Sequence, residues 1–365
     1  MIINQIRSSD GTGTLSYLIT DEANRVAILI DPNKEDTQQI VRLAKEQKVS
    51  ITHIIDTHTH ADHVSGANEI KQVFQSQIVM HENTKNKWKV VDLGDKFGIG
   101  DILRANAGIP IDRYVQDGDS IESGKLKCSI LFTPGHSDNH ITPVIEDNLF
   151  TGDLLLIGQA GRSDLPSGNA EEQYESIFSK ILKFPDYTKI YPGHDYEENT
   201  FSLLGNEKKS NPFLEPRTKQ EYVQFVSDFF PPLAESTEGG KVTLQCGTQR
   251  VASEKKGPFR NITAKELNDL LQTNPSLYML DVREPFELRA FGAIANVNNI
   301  SIQHVMKRLN ELPQNKQQEI VVVCQSGGRS FEVAHYLSKQ GYANVYNLEN
   351  GTSGWMQAGY PVEKK

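Results

Sequence analysis

The stretch Thr57-His58-Thr59-His60-Ala61-Asp62-His63 places three imidazoles and one carboxylate within six positions. Clustered polar side chains rarely serve packing alone, because each buried polar group needs its own partner. A short β-branched apolar run at 51–55 precedes the stretch, and residues 65–74 follow with helical spacing of their apolar side chains. The sequence therefore predicts a metal-binding loop between a strand and a helix, in preference to an ordinary solvated polar loop.

The order of the side chains suggests two neighbouring metal positions. His58 and His60 are alternate residues, which point the same way on extended backbone and can share one centre. Asp62 and His63 follow at the turn, where they can present ligands to a second position. We therefore expect this loop to supply ligands to at least one ion.

Further along the chain, three more strands end in chemically useful residues. Two of them run into Pro-Gly-His, at His136 and at His194, and a third runs into Gly152-Asp153. A Pro-Gly turn fixes the direction of the following imidazole, and a glycine leaves room for a ligand beside the carboxylate. Asp153 is the expected third ligand, while the sequence leaves His140 undecided.

Length, charge and cysteine usage bound the class of protein. The chain has 365 residues, a formal charge of -9 and a pI near 5.6, which favour two domains and argue against a nucleic-acid partner. No apolar run reaches the length of a membrane span, and the opening MIINQIRSSD lacks a secretion signal, so we expect a cytoplasmic protein without membrane contact. Cys128, Cys246 and Cys324 show no CxxC spacing.

Strands and helices alternate along the chain in an α/β layout. A hairpin over 15–30 and a helix over 34–48 precede the metal loop, and the polar stretch 85–111 is predicted to be an insertion near the site. The best linker is 251–258, after which a new α/β pattern begins. The sequence therefore predicts domains over 1–250 and 259–365.

The second domain carries its own chemical loop. The apolar strand 320–323 ends in Cys324-Gln325-Ser326-Gly327-Gly328-Arg329, and a helix follows. Backbone N–H groups, a helix N-terminus and a guanidinium favour a thiolate over a thiol, so Cys324 is predicted to be a nucleophile, with Arg329 as its cationic partner. The simpler alternative is a small apolar cysteine before a glycine turn.

This loop resembles that of the rhodanese family, because four residues separate Cys324 from Arg329, whereas the cysteine phosphatases have five. The segments 281–287 and 351–355 resemble the family's early and closing signatures. The resemblance implies a small α/β domain with a parallel sheet and sulfurtransferase activity. A departure occurs at 292–296, where the family's usual Gly-His-Ile-Pro-Gly turn is replaced.

The histidine and aspartate motifs of the first domain resemble the metallo-β-lactamase superfamily, whose fold is an αββα sandwich. The stretches 153–157, 161–164 and 191–196 resemble the persulfide dioxygenases. This resemblance implies one Fe(II) per chain, held by two histidines and one aspartate, with four remaining polar residues in supporting positions or as ligands of a second metal. The implied iron ligands are His58, His136 and Asp153, and the remaining four are His60, Asp62, His63 and His194.

The same resemblance implies that Arg162 and Tyr196 lie on the side that binds glutathione. Gln159-Ala160 replaces a cysteine of many relatives, and Cys246 matches a cysteine whose role the sequence leaves open.

The implied activity converts glutathione persulfide, O2 and water to sulfite and glutathione. The rhodanese-like domain would move sulfane sulfur between thiosulfate and glutathione through Cys324. The alternatives are a zinc thioester hydrolase of the glyoxalase II type, since the residues of a two-metal site are all present, and a sulfane-sulfur carrier that turns nothing over. The physiological thiol and the oligomeric state, a homo-oligomer included, stay open.

Overall fold

The chain divides into two compact units in a computed structural model that describes residues 1–8, 12–86, 91, 94–95, 99–195, 199–230, 244–245, 248–249, 259–283, 285–325 and 327–363. The N-terminal unit includes Met1–Val223, and the C-terminal unit includes the described part from residue 259 onward. The predicted linker 251–258, Cys246 and Tyr196 lie outside the described residues.

The first sheet of the N-terminal unit has six strands in sequence order. Strands β1 to β3 pair antiparallel, as the predicted hairpin requires, and β3 to β6 pair parallel. The strands are β1 (Ile2–Arg7), β2 (Leu15–Asp21), β3 (Val26–Ile30), β4 (Ser50–Ile55), β5 (Gln77–His81) and β6 (Arg113–Val115).

The second sheet also has six strands, in the order β12-β11-β10-β9-β8-β7. Its one parallel pair is β10 with β11, and the register of that pair shifts between Phe150 and Gly152, where a bulge redirects the chain. The strands are β7 (Ser120–Ser123), β8 (Leu126–Phe132), β9 (Ile141–Ile145), β10 (Asn148–Gly152), β11 (Lys189–Pro192) and β12 (Ser202–Leu203).

Alternation along the strands builds two separate layers of core. Tyr17 and Ile28 point toward the second sheet, whereas their neighbours Leu18 and Leu29 point to the opposite face. That outer face is covered by two amphipathic helices, α1 (Thr37–Glu46) and α2 (Ala67–Phe74). The period of two in β2 and β3 therefore places one apolar set between the sheets and the other beneath the helices.

Three consecutive helical segments of different type span residues 170–183. The stretch begins as an α-helix at Ala170, widens into a π-helix at Glu175–Lys180 and ends in a 3-10 turn at Ile181–Lys183. The α-helices between residues 100 and 230 are α3 (Gly100–Ala107), α4 (Ala170–Tyr174), α5 (Leu204–Ser210) and α6 (Lys219–Phe229).

The C-terminal unit is built around a parallel sheet in the order β15-β19-β18-β16-β17. In β18, Ile320 and Val322 face one apolar cluster, while Val321 and Val323 face the other. Burial on both faces is typical of parallel sheets and explains why this strand reads as a continuous apolar run.

The strands that complete the described chain are β13 (Leu244–Gln245), β14 (Thr248–Gln249), β15 (Arg260–Ile262), β16 (Tyr278–Asp281), β17 (Asn298–Asn299), β18 (Ile320–Val323) and β19 (Val345–Leu348). The helices are α7 (Ala264–Thr273), α8 (Pro285–Phe291), α9 (Ile302–Val305), α10 (Gly328–Lys339) and α11 (Gly351–Gln357). Among the helices described here, none combines the length and the apolar character that crossing a membrane requires.

Cys128 lies on β8, within the core between the two sheets of the N-terminal unit. Burial raises the pKa of its thiol to about 12.

We expect Ile28→Ala to lower the free energy of unfolding by about 2 to 5 kcal/mol, because it opens a cavity in the layer between the sheets. The control is Val73→Ala on the exposed side of α2, which should change it by less than about 0.5 kcal/mol. Denaturant unfolding followed by circular dichroism compares the two variants. Equal destabilisation by both would contradict this assignment of the core.

Candidate functional site

The candidate metal centre lies where strands of both sheets of the N-terminal unit end. The loop after β4 carries His58, the turn after β8 carries His136, and Asp153 directly follows β10. Carboxyl ends of neighbouring strands are a common location for ligand sites in α/β folds. The register of β10 against β11 shifts between Phe150 and Gly152, immediately before Asp153.

His58, His136 and Asp153 bring three ligand atoms together in a buried position. Asp153 Oδ2 lies 3.7 Å from His58 Nε2 and 3.6 Å from His136 Nε2. These distances exceed those of hydrogen bonds and lie slightly above the roughly 3 to 3.5 Å between ligands of a bound ion, so small shifts would bring the three atoms around one centre. Among the described residues, His58 Nε2 and Asp153 Oδ2 have no hydrogen-bonding partner.

The neighbouring groups fix both histidines in the tautomer that a metal requires. Thr57 Oγ1 donates to Asp31 Oδ2 at 2.8 Å, so the same oxygen accepts from His58 Nδ1 at 3.0 Å. His136 Nδ1 donates to the main-chain oxygen of Arg162 at 2.7 Å. Both Nε2 atoms therefore keep their lone pairs. Burial lowers the pKa of both His58 and His136, which keeps the two imidazoles neutral.

His194 does not join this group as a ligand but lies between two carboxylates. Its Nδ1 is 2.7 Å from Asp153 Oδ1, and its Nε2 is 2.7 Å from Asp62 Oδ2. Burial by itself would lower the pKa of His194, but the two carboxylates hold that pKa well above its ordinary value. Both ring nitrogens of His194 therefore donate, and Asp62 and His194 satisfy each other.

We expected His58 and His60 to share one centre, but the structure places them in different groups of potential metal ligands. His60 lies near Asp62 and His63, and also near Asp31 and Asp56, in two further buried groups with metal-ligand chemistry. The strand ends at Ile55 and the chain bends at Thr57 and His58, so the alternation of side chains does not continue. Burial would lower the pKa of His60, but the nearby carboxylate of Asp31 raises it to about 9.

Two supporting residues, Asp31 and Asn106, are not among those predicted from the sequence. Asp31 accepts from the main-chain N–H and the hydroxyl of Thr57, and thereby orients His58. Asn106, from the polar stretch 85–111, donates to the main-chain oxygens of His60 and His63, at 2.9 Å each. Asp31 directly follows β3, at the same sheet edge as the metal loop, and this position in the sequence could have indicated a role at the site. Nothing in the sequence distinguished Asn106.

His140, which the sequence left undecided, belongs to the wall of the centre. Its ring stacks on that of His58 with centroids 5.3 Å apart, and burial lowers its pKa to about 3. Gly152 has a φ of +46°, and a Cβ there would lie 2.6 Å from both His140 Nε2 and Thr57 Oγ1. The close approach of three chain segments therefore requires glycine immediately before Asp153.

Arg162, a predicted substrate-binding residue, is buried beside the centre. Its guanidinium forms two hydrogen bonds with Asp164, of 2.9 and 2.6 Å, while its main-chain oxygen orients His136.

The sulfur chemistry predicted for the C-terminal unit is centred on Cys324, at the end of β18. The N–H of Gly327 donates to Sγ at 3.1 Å, and the Ser330 hydroxyl donates to it at 3.4 Å. Gly327 has a φ of +96° and precedes α10, so the thiol faces the N-terminus of that helix. Such donors stabilise a thiolate or the terminal sulfur of a persulfide.

The guanidinium of Arg329 is held by Glu287 rather than left free beside the thiol. Two hydrogen bonds of 2.7 Å join the pair in a bidentate arrangement. Gln325, the residue after the cysteine, accepts from Arg283 at 2.8 Å and donates to Ser353 at 2.9 Å. The loop is therefore fixed by side chains from the two segments that resemble the family's signatures.

Comparisons with known proteins match both units. The metallo-beta-lactamase superfamily model matches residues 9–194, which include every predicted metal ligand, and the rhodanese-like domain model matches residues 263–358. The mitochondrial persulfide dioxygenase ETHE1 of Bos taurus is 30% identical over 239 residues, which cover 65% of this chain and 85% of that protein. The hydroxyacylglutathione hydrolase GloC of Haemophilus influenzae is 32% identical over 208 residues, 56% of this chain and 93% of that one.

Among solved structures, that of ETHE1 from Myxococcus xanthus is similar, with a TM-score of 0.55 and 32% identity. The match covers 64% of this chain and 92% of that one. It confirms the predicted αββα sandwich, and the rhodanese-like match agrees with the parallel sheet of the C-terminal unit. The chain therefore belongs to the metallo-beta-lactamase superfamily, and it carries a rhodanese-like domain in its C-terminal unit.

Proposed function

We propose that the N-terminal unit is an iron-dependent oxygenase that converts glutathione persulfide, O2 and water to sulfite and glutathione. At the coarser level, the persulfide dioxygenase relatives and the rhodanese-like domain support an enzyme of sulfur metabolism. The observation that carries the finer proposal is the convergence of His58, His136 and Asp153, beside a second position whose residues bond each other. Two histidines and one carboxylate on one face are typical of non-haem Fe(II) oxygenases.

The residues of this centre fit such an ion in number, chemistry and orientation. The two neutral imidazoles present lone pairs at Nε2, and Asp153 presents Oδ2 while its Oδ1 is held by His194. When bound, Fe(II) supplies the redox chemistry that O2 needs to react. His58, His136 and Asp153 would hold the ion, and a site with three protein ligands would leave further coordination positions for the substrates. The imidazolium of His194 offsets the negative charge of the buried carboxylates of Asp62 and Asp153.

A thioester hydrolase with two zinc ions is the second candidate, because every residue of a second metal position is present and the GloC relative is a hydrolase by name. In the structure, however, Asp62 and His194 are joined by a hydrogen bond of 2.7 Å, which occupies ligand atoms that a second ion would need. A hydrolase also gives no role to Cys324. We therefore rank it below the oxygenase.

For the C-terminal unit we propose sulfur transfer through Cys324. The thiolate attacks the sulfane sulfur of thiosulfate, the S–S bond breaks, and sulfite leaves with the bonding electrons. The thiolate of glutathione then takes the outer sulfur as glutathione persulfide and restores the Cys324 thiolate. The product is the substrate of the oxygenase, so the two units would share a persulfide and sulfite pair. A carrier that only docks a partner would load sulfur without turnover.

Protein purified anaerobically should contain about one iron per chain and little zinc. His58→Ala, His136→Ala and Asp153→Ala should each lower iron affinity by well over about tenfold, because each removes one of three ligands. Metal analysis by mass spectrometry measures this, with the exposed His304→Ala as control. Two zinc ions per chain, with hydrolysis of a glutathione thioester and no O2 uptake, would favour the hydrolase.

Arg162→Ala should leave iron in place, because His136 bonds the main-chain oxygen of Arg162 and not its side chain. We propose that its guanidinium, held by Asp164, orders the side of the pocket that takes the thiol. KM for glutathione persulfide should therefore rise by about tenfold or more. The control is Arg217→Ala, since Arg217 also bonds a carboxylate two residues away, on Glu215. Loss of iron, or an unchanged KM, would argue for another role.

Cys324→Ser should keep O2 uptake on glutathione persulfide and abolish O2 uptake on thiosulfate plus glutathione. Serine is nearly the same size as cysteine but cannot form a persulfide, so only the coupled reaction loses its carrier. An oxygen electrode measures both rates, and Cys128→Ala should retain both, since that thiol lies in the core of the other unit. Wild-type O2 uptake from thiosulfate by the Cys324→Ser variant would be incompatible with the coupling.

A further inference from the structure

One polar side chain lies on the buried face of helix α3. The helix presents Gly100, Leu103, Asn106 and Ala107 to the interior of the N-terminal unit. An amide at such a position is unfavourable unless its donors and acceptor are all satisfied. Asn106 satisfies them with a single partner segment, the turn 60–65 that follows the first metal ligand.

The amide of Asn106 closes this turn at three points. Its Nδ2 donates to the main-chain oxygens of His60 and His63, and its Oδ1 accepts from the main-chain N–H of Ser65, with every distance 2.9 Å. The two carbonyls are therefore drawn toward one nitrogen. Asp62 lies between them, so its backbone is fixed on both sides.

The position of Asp62 decides what its carboxylate can contact. Its Oδ2 lies 2.7 Å from His194 Nε2, and His194 Nδ1 lies 2.7 Å from Asp153 Oδ1. While this chain of hydrogen bonds is intact, both nitrogens of His194 are occupied and Asp153 offers only Oδ2 to the first metal position. If the turn relaxes, Asp62, His63 and His194 become three ligands for a second divalent cation.

We propose that Asn106 is a positioning residue that limits the N-terminal unit to one metal ion per chain. It acts through the turn 60–65, by keeping Asp62 in contact with His194. The inference rests on the proposed metal centre and goes beyond it, because it assigns the choice between one and two ions to a residue that is not itself a ligand. Removing the amide should therefore add a metal site to the protein.

The test is a zinc titration of the metal-free full-length protein, with calorimetry and a competing chelator. Asn106→Leu removes all three hydrogen bonds at similar size and without a change of charge. Its matched control is Asn148→Leu, since Asn148 is equally buried and bonds the main-chain oxygen of Ile145 in the turn between β9 and β10. That turn lies at the start of β10, at the opposite end of the strand from Asp153, so this control alters a buried asparagine away from the metal ligands.

We expect the wild type and Asn148→Leu to bind one Zn(II) tightly, and Asn106→Leu to bind two, with the affinity of the second raised by at least about tenfold. Circular dichroism of each variant must first match that of the wild type, because an unfolded chain exposes histidines and cysteines that also bind zinc. Asn106→Ala, which favours the helix, provides the same comparison if the leucine variant folds poorly. One tight equivalent in the folded Asn106 variants, or two in the wild type, would overturn the inference.

The zinc titration does not depend on oxygenase activity, so the two ideas can fail separately. A second zinc site that appears only in the Asn106 variants, together with no O2 uptake by the iron-loaded wild type, would sustain the role of Asn106 and refute the oxygenase. Persulfide-dependent O2 uptake by the wild type, with one zinc per chain in the Asn106 variants, would support the oxygenase and refute the role of Asn106.

Discussion

The buried contact of His194 with Asp62 and Asp153 is the interaction on which the N-terminal unit depends most. Two carboxylates removed from water are strongly unfavourable unless an opposite charge lies beside them. His194 supplies that charge from the end of β11, while Asp153 follows β10 and Asp62 comes from the loop after β4. One imidazolium therefore joins the strand ends of both sheets. Replacing it by a neutral side chain would remove the one cation that contacts both buried carboxylates.

Much of this arrangement could be predicted because the decisive residues follow short apolar strands. His58, His136, Asp153 and Cys324 each stand directly after a strand or its turn, where the periodicity of the strand indicates both burial and direction. Asn106 could not be found this way, since its partners are main-chain groups of a distant segment. Asp31 does directly follow a strand, but nothing in the sequence pairs it with Thr57. The sequence of a helix is the same whether its single asparagine faces water or bonds three backbone groups, so the sequence alone does not distinguish the two environments.

The prediction for His58 and His60 shows a second limit of sequence patterns. Alternation places side chains on one face only while the backbone stays extended, and β4 ends at Ile55, before the first histidine. Hydrogen bonds to Asp31 and Asn106 then shape the loop, and they send the two imidazoles into different groups. The motif identified which residue types could bind a metal. Which of them share a metal position depends on tertiary contacts.

The environment of Cys128 has a consequence for selectivity among thiols in a protein that handles reactive sulfur. Only the ionised form of a cysteine exchanges readily with persulfides and disulfides. Between two apolar sheets the Cys128 side chain is buried and stays protonated at neutral pH. Cys324, by contrast, receives donors from Gly327 and Ser330. Adventitious S-thiolation should therefore modify Cys324 before Cys128. Modified Cys128 should be found only in molecules whose core has already unfolded.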